Sequence, residues 1–228
     1  MTRIKLCGIT RAEDIEIINR LKPDYIGFVF WAKSKRNIDR QKAAELKKLL
    51  VPDVKAVGVF VDEDVDTVAE LLNEGIIDAA QLHGSEDDDY IGRLRKLTEN
   101  HTAVSFCRSD EPAEITELQE DKLQEDKSIH IIKAFKIRNE TDLKAAEKSP
   151  ADMILLDAGM GEGKKFEWSL LKDFKRSYFL AGGLDTGNAA EAVKELHPYG
   201  VDVSSGIERN GVKDPELMEL FVENVRKE

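Results

Sequence analysis

The chain has 228 residues, 41% hydrophobic, 35% charged and 7% aromatic, enough apolar material for a sizeable core beneath a charged surface, which excludes disorder along its whole length. Its 45 acidic residues outweigh 34 basic ones for a net charge of −11, a field that repels nucleic-acid backbones and anionic lipid where no basic patch is concentrated. The longest nearly unbroken apolar run, Tyr25 to Ala32, is far short of the roughly 20 residues of a membrane-spanning helix. The alternating start Arg3-Ile-Lys-Leu-Cys7 leaves no room for the apolar stretch of a secretory signal. Cys7 and Cys107 lie far apart, without metal-type spacing to the four histidines, so the expected setting is a reducing cytoplasm with no disulfide and no metal.

Short runs rich in Val, Ile and Phe, bounded by Gly, Asp or Pro, predict strands at Ile4–Gly8, Tyr25–Phe30, Ala56–Val61, Ala79–His83, Ile129–Ile137, Met153–Ala158, Tyr178–Gly182 and Val201–Ser204. Helical apolar spacing marks Ala12–Leu21, Arg40–Leu50, Asp66–Asn73, Asp88–Leu97, Glu140–Glu147, Asn188–Leu196 and Pro215–Val225. Strand starts recur every 21 to 31 residues or so, except for one interval of about 50 before the fifth strand. Eight βα units whose strands are apolar on both faces predict a single-domain α/β chain folded as a closed (β/α)8 TIM barrel. The alternative, an open doubly wound sheet, usually has fewer strands. The long interval holds a charged surface insertion over 101–127, read as a solvated helix at Pro112–Glu125 after a short extra strand at Ala103–Cys107.

In such a barrel the chemistry sits where the strands end. Strand one ends Lys5-Leu-Cys7-Gly8, and alternation puts Cys7 on the same face as Lys5, looking into the mouth. A thiol there is a nucleophile, a proton-transfer base or a packed core residue, and residue type alone favours the core. Strand six brings Asp157 to the same level, a loop-closing carboxylate if it stood alone. Together the two form a base and an acid on either side of a small substrate, which is acid/base chemistry without a cofactor. Strands seven and eight end in Gly182-Gly183 and Ser204-Ser205-Gly206, small residues whose amides approach a phosphate without needing a cationic side chain, beside the N-terminus of a short helix. Arg36, after strand two, is placed to grip a carboxylate by two parallel hydrogen bonds. His83 ends strand four at the rim, where a structural histidine is the commoner finding.

As an ordered set, Lys5-Leu-Cys-Gly-Ile-Thr10, Tyr25-Ile-Gly-Phe-Val-Phe30, Ser34-Lys-Arg36, Val57-Gly-Val-Phe-Val61, Gln81-Leu-His-Gly84, Leu155-Leu-Asp157 with Phe166-Glu-Trp168, Ala181-Gly-Gly-Leu184 and Asp202-Val-Ser-Ser-Gly206 resemble the phosphoribosylanthranilate isomerases of tryptophan biosynthesis. The resemblance spans nearly the whole chain outside 101–127. It implies an Amadori rearrangement of a small phosphorylated substrate without cofactor. Cys7 would be the general base, Asp157 the general acid and Arg36 the contact for the anthranilate carboxylate. Gly182, Gly183, Ser204, Ser205 and Gly206 would hold the phosphate, and Asp202 would face the sugar hydroxyls, with His83 a further substrate contact.

On this reading Asp157 needs a carboxyl raised by desolvation, and Cys7 needs help losing its proton, for which Lys5 is the candidate. The chain departs from the family twice. Lys35 stands where a proline usually fixes the backbone before Arg36, and Glu162 brings a carboxylate into the glycine-rich loop after strand six. Two rivals remain: the related sugar-phosphate isomerisation of histidine biosynthesis, which would be expected to use two aspartates, and a non-catalytic phosphate-binding or interaction scaffold. Nothing in the pattern separates a monomer from a homodimer.

Overall fold

A computed structural model describes residues 1–105, 131–157, 159, 168–171 and 174–228. The eight apolar runs are parallel strands, β1 (Arg3–Cys7), β2 (Tyr25–Phe30), β3 (Lys55–Phe60), β4 (Ala79–Leu82), β5 (Ile131–Lys136), β6 (Met153–Asp157), β7 (Tyr178–Ala181) and β8 (Gly200–Val203), and they close on themselves in chain order. Closure comes from β1 pairing on both sides, with Lys5 opposite Tyr25 of β2 and Asp202 of β8. The open-sheet alternative is thereby excluded. Between the strands lie α1 (Ala12–Leu21), α2 (Arg40–Leu49), α3 (Val65–Asn73), α4 (Asp88–Ser105), α5 (Glu140–Lys148) and α6 (Ala189–Leu196), with α7 (Pro215–Arg226) after β8 and a 3-10 turn at Trp168–Leu171 before β7.

One expected element is corrected. Ala103, Val104 and Ser105 belong to the last turns of α4 and do not begin a strand. A helix already nucleated gains one hydrogen bond for each residue added, whereas a short strand gains nothing without a neighbour to pair with. Cys107, most of the charged insertion and the helix expected over Pro112–Glu125 lie outside the described residues.

Alternation along the strands divides the interior in two. One set, including Ile4, Leu6, Ile26, Phe28, Phe60 and Leu82, packs outward against helix residues such as Ile15, Ile18, Leu46, Val68 and Leu94. The other consists of strand residues alone, Val57, Ala79, Ile132, Ala134, Met153, Leu155, Phe179 and Ala181, and fills the barrel. Phe179 takes Tyr25 and Tyr199 edge-on at 5.5 and 5.4 Å, so aromatic side chains plug the barrel's lower half.

The strand starts share a device. Asp24, Asp78 and Asp152 each stand directly before an even-numbered strand, and each accepts a backbone N–H at the beginning of the preceding one: Ile4 at 2.9 Å, Ala56 at 2.6 Å and Ile131 at 2.9 Å. A carboxylate on an otherwise unpaired strand-end amide is a charge-assisted bond. These acids staple the N-terminal face of the barrel, opposite the mouth formed by the C-terminal strand ends. Helix starts are capped in the same economical way, by Asp39 on Lys42 N, Asn139 on Thr141 N and Asp214 on Leu217 N ahead of Pro215. No helix among the described residues is long and apolar enough to cross a membrane.

Candidate functional site

Cys7 ends β1 inside the barrel, 7% exposed, against Val29 and Val59. Its neighbour in register is Gly27, where a methyl group would lie 2.6 Å from the Cys7 sulfur. The glycine in Tyr25-Ile-Gly27 therefore makes room for the thiol. One layer below, Lys5 is fully buried and its Nζ donates to Asp202 Oδ1 at 2.9 Å. Burial pulls the Lys5 ammonium down, yet the Asp202 carboxylate and the sulfur of Cys7 outweigh it and hold the lysine above its ordinary value. Burial pushes the Cys7 thiol up, and the pull of Lys5 and Lys213 in the other direction only partly offsets it. Lys5 is thus the cation beside Cys7 that strand alternation anticipated, but it is shared with Asp202, and the resting sulfur is a thiol.

Arg36 crosses above β1. Gly8, at φ +82°, turns the chain after Cys7, and a side chain there would collide with the Arg36 stem. The guanidinium makes a two-pronged contact with Glu208, Nε to Oε1 at 2.6 Å and Nη2 to Oε2 at 2.7 Å. Lys213 approaches the same carboxylate, Nζ to Oε1 at 2.6 Å, and also donates to the Ser204 carbonyl at 2.8 Å. Ser204 Oγ in turn donates to the Cys7 carbonyl at 3.1 Å. Arg36, the loop after β8 and the end of β1 are therefore one connected polar structure.

The loops after β7 and β8 lie side by side, joined by a bridge between Asp185 and Gly206. Gly182, Gly183, Ser204, Ser205 and Gly206 are thus brought to one stretch of the rim. The expected short helix is replaced by a tight turn, with Ile207 N and Glu208 N donating to Ser204 O and Ser205 O at 3.5 and 3.1 Å, and by the hairpin β9 (Glu208–Arg209) and β10 (Val212–Lys213). The physical reason is in the sequence: Asn210-Gly211 takes φ +53° and +78°, the pair of positive values a two-residue hairpin turn needs.

Asp157 ends β6, with Oδ1 accepting from Gly159 N at 3.0 Å and Oδ2 3.4 Å from His83 Nε2. Gln81 Nε2 lies 3.3 Å from His83 Nδ1. With the amide donating, Nδ1 is the acceptor and the ring proton sits on Nε2, facing Asp157. His83 thus touches the strand-six carboxylate. The Gln81 carbonyl is buried with no hydrogen-bond partner among the described residues. The expected upward shift of Asp157 is corrected: the His83 contact outweighs burial and, with Gly159 N–H, holds the carboxyl below the ordinary carboxylate range. Because the folded value lies below the unfolded one, this ionisation stabilises the fold above about pH 4 and the contribution is lost as pH falls through the folded value. In His83→Gln the Asp157 carboxyl is expected to titrate at higher pH, followed by carboxyl carbon NMR; an unmoved titration refutes the contact's role.

Three residues of the mouth carry no functional signal of their own in the sequence. Glu208 and Lys213 look like ordinary surface charges, and Gln81 like a polar residue in an apolar strand. The Asn-Gly hairpin signal was the available clue, because a two-residue turn places Glu208 directly opposite Lys213. Among the described residues, no group of three or more His, Cys, Asp or Glu side chains is placed to hold a metal. Glu162 lies outside the described residues.

A sequence model for the family described as N-(5'phosphoribosyl)anthranilate (PRA) isomerase matches residues 4–124 and 114–224. The N-(5'-phosphoribosyl)anthranilate isomerase of Endomicrobium trichonymphae is 42% identical over 219 residues, covering 94% of this chain and 93% of that protein. Among solved structures, phosphoribosyl anthranilate isomerase from Thermotoga maritima superposes with a TM-score of 0.78 at 32% identity over 100% of both chains. A phosphoribosyl anthranilate isomerase in complex with reduced 1-(o-carboxyphenylamino)-1-deoxyribulose 5-phosphate gives 0.77 at 31% identity, again over 100% of both.

Proposed function

Since this chain belongs to the N-(5'-phosphoribosyl)anthranilate isomerase family, we propose that it catalyses the Amadori rearrangement of N-(5-phosphoribosyl)anthranilate to 1-(2-carboxyphenylamino)-1-deoxyribulose 5-phosphate in tryptophan biosynthesis, with Cys7 as base and Asp157 as acid. One observation carries the assignment of roles. Cys7, Arg36 and the Ser204 loop are joined by hydrogen bonds of 2.6 to 3.1 Å, and Asp157 ends a strand at the same barrel mouth. A base, a carboxylate grip, a phosphate cradle and an acid are the parts this reaction needs.

In the first step the Asp157 carboxyl gives a proton to the furanose ring oxygen as the C1–O bond breaks and the anilino nitrogen forms a Schiff base. In the second, the fraction of Cys7 that has lost its thiol proton to solvent takes the proton from C2 and becomes a thiol again, and the enolamine formed tautomerises to the ketone. Both groups rest in the opposite protonation state, a thiol and a carboxylate. The substrate's carboxylate enters next to Arg36 and its phosphate between the Gly182-Gly183 and Ser204-Gly206 loops, and the excluded water raises the Asp157 carboxyl. His83, 3.4 Å from Asp157, can pass the carboxylate a proton from its Nε2 only when the ring has first been protonated at Nδ1, and it then returns to the neutral imidazole. Asp202, pinned by Lys5, is left to meet the sugar hydroxyls from below. A reducing compartment such as the cytoplasm suits a mechanism that depends on a free thiol.

The test is loss of anthranilate fluorescence when the protein is mixed with substrate generated in situ from anthranilate, phosphoribosyl pyrophosphate and the corresponding transferase. Catalysed loss well above the spontaneous rate is expected. A folded protein that gives no catalysed loss overturns the reading and leaves a non-catalytic phosphate-binding barrel.

A further inference from the structure

Arg36 is aimed without a proline at position 35. Its own N–H donates to Ser34 Oγ at 3.1 Å, its stem lies over Gly8, and its Nε and one Nη2 hydrogen are taken by Glu208. That contact uses one edge of the guanidinium. The other edge, Nη1 with the second hydrogen of Nη2, has the fork geometry for one more carboxylate, and Nη1 has no hydrogen-bond partner among the described residues.

Glu208 is itself held from behind. The side chains of Glu208 and Lys213 are 8% and 2% exposed, and the Asn210-Gly211 turn sets them opposite each other. Glu208 between Arg36 and Lys213 leaves one net positive charge in the cluster. Removing Glu208 would set two cations against each other and release the guanidinium to rotate. Burial pushes the Glu208 carboxyl up, but the two cations outweigh burial and keep it below its ordinary value, so it is ionised throughout the neutral range.

We propose that Glu208, carried by Lys213, is a positioning residue that fixes Arg36 so that its second edge receives an aromatic carboxylate, making the site selective for carboxylated over uncarboxylated N-aryl sugar phosphates. The inference rests on the reading of Arg36 as the carboxylate grip. It replaces a backbone constraint with an ion-paired one: aim supplied from a hairpin 172 residues away in the chain instead of from the neighbouring residue.

The experiment uses the full chain and two ligands, the reduced product 1-(o-carboxyphenylamino)-1-deoxyribulose 5-phosphate and the same compound without its ring carboxylate, with dissociation constants measured by calorimetry. In Glu208→Gln the carboxylated ligand is expected to bind about 10- to 100-fold more weakly, about 1.4 to 2.7 kcal/mol. The uncarboxylated ligand should change by less than about threefold, because it makes no charge-assisted bond to Arg36. The double variant Glu208→Gln/Lys213→Gln, which leaves no buried ammonium unpaired, is run beside it and is expected to show the same selective loss. Equal weakening of both ligands marks a merely structural role and overturns the proposal, as does unchanged binding of the carboxylated ligand. Tighter binding of that ligand also overturns it, since Glu208 would then be a competitor. A parent protein that binds neither ligand refutes the isomerase reading itself, a result separate from any of these.

Discussion

Cys7→Ser and Asp157→Asn are each expected to lower kcat by about two to four orders of magnitude, the usual contribution of a positioned acid or base. Both replacements nearly preserve shape. A serine hydroxyl holds its proton far more tightly than a thiol, and an asparagine amide offers no acidic proton to the ring oxygen. KM should change little, because neither side chain belongs to the phosphate or carboxylate contacts. The two roles fall in successive steps, ring opening and then C2 deprotonation, so the double variant should turn over at close to the rate of the slower single variant and not at the product of the two losses. A multiplicative loss would place both groups in one transition state. If Cys7 were only a packed residue, Cys7→Ser would lower the thermal midpoint and leave turnover of the folded fraction intact. Anthranilate fluorescence and thermal unfolding, measured on the same samples, separate these outcomes.

The barrel is legible in the sequence because each strand is apolar on both faces and is closed by Gly, Asp or Pro. Tyr25–Phe30 and Met153–Asp157 are clear on that signal alone, and their ends locate the polar mouth. The end of α4 is not legible in this way, since apolar spacing thins after Leu97 while the backbone continues to Ser105. Positions that ride on a strand end, Cys7, His83 and Asp157, follow from counting. Contacts between distant segments do not. Arg36 meets Glu208 only after eight strands have closed, and Asp24, Asp78 and Asp152 look like turn residues until the preceding strand lies beside them. Charge states fail for the same reason: desolvation alone predicts a raised Asp157, and the histidine beside it reverses the sign.

Lys5→Met is expected to destabilise the protein by about 3 to 5 kcal/mol, because it strands the Asp202 carboxylate without its buried partner. The chain of cause is short: Lys5 is fully buried, its Nζ is 2.9 Å from Asp202, and the Asp202 side chain is 9% exposed. The lysine titrates above 10.5 in the folded state. Its stabilising contribution is therefore complete below about pH 10.5 and is lost as pH rises through the folded value, so this alkaline loss should be absent in the variant. The same substitution removes the strongest cation acting on the Cys7 sulfur, and the thiol should titrate higher still. Each unit of that shift means tenfold less thiolate at a fixed neutral pH, so the rising limb of kcat/KM against pH moves to higher pH. The double variant Lys5→Met/Asp202→Leu separates the two effects. An apolar pair of similar volume restores stability, while the sulfur, on which Lys5 acts more strongly than Asp202, stays shifted upward. Thiolate absorbance near 240 nm, which needs no substrate, reads the titration directly. If it is unmoved in both variants, Lys5 serves the fold and not the base.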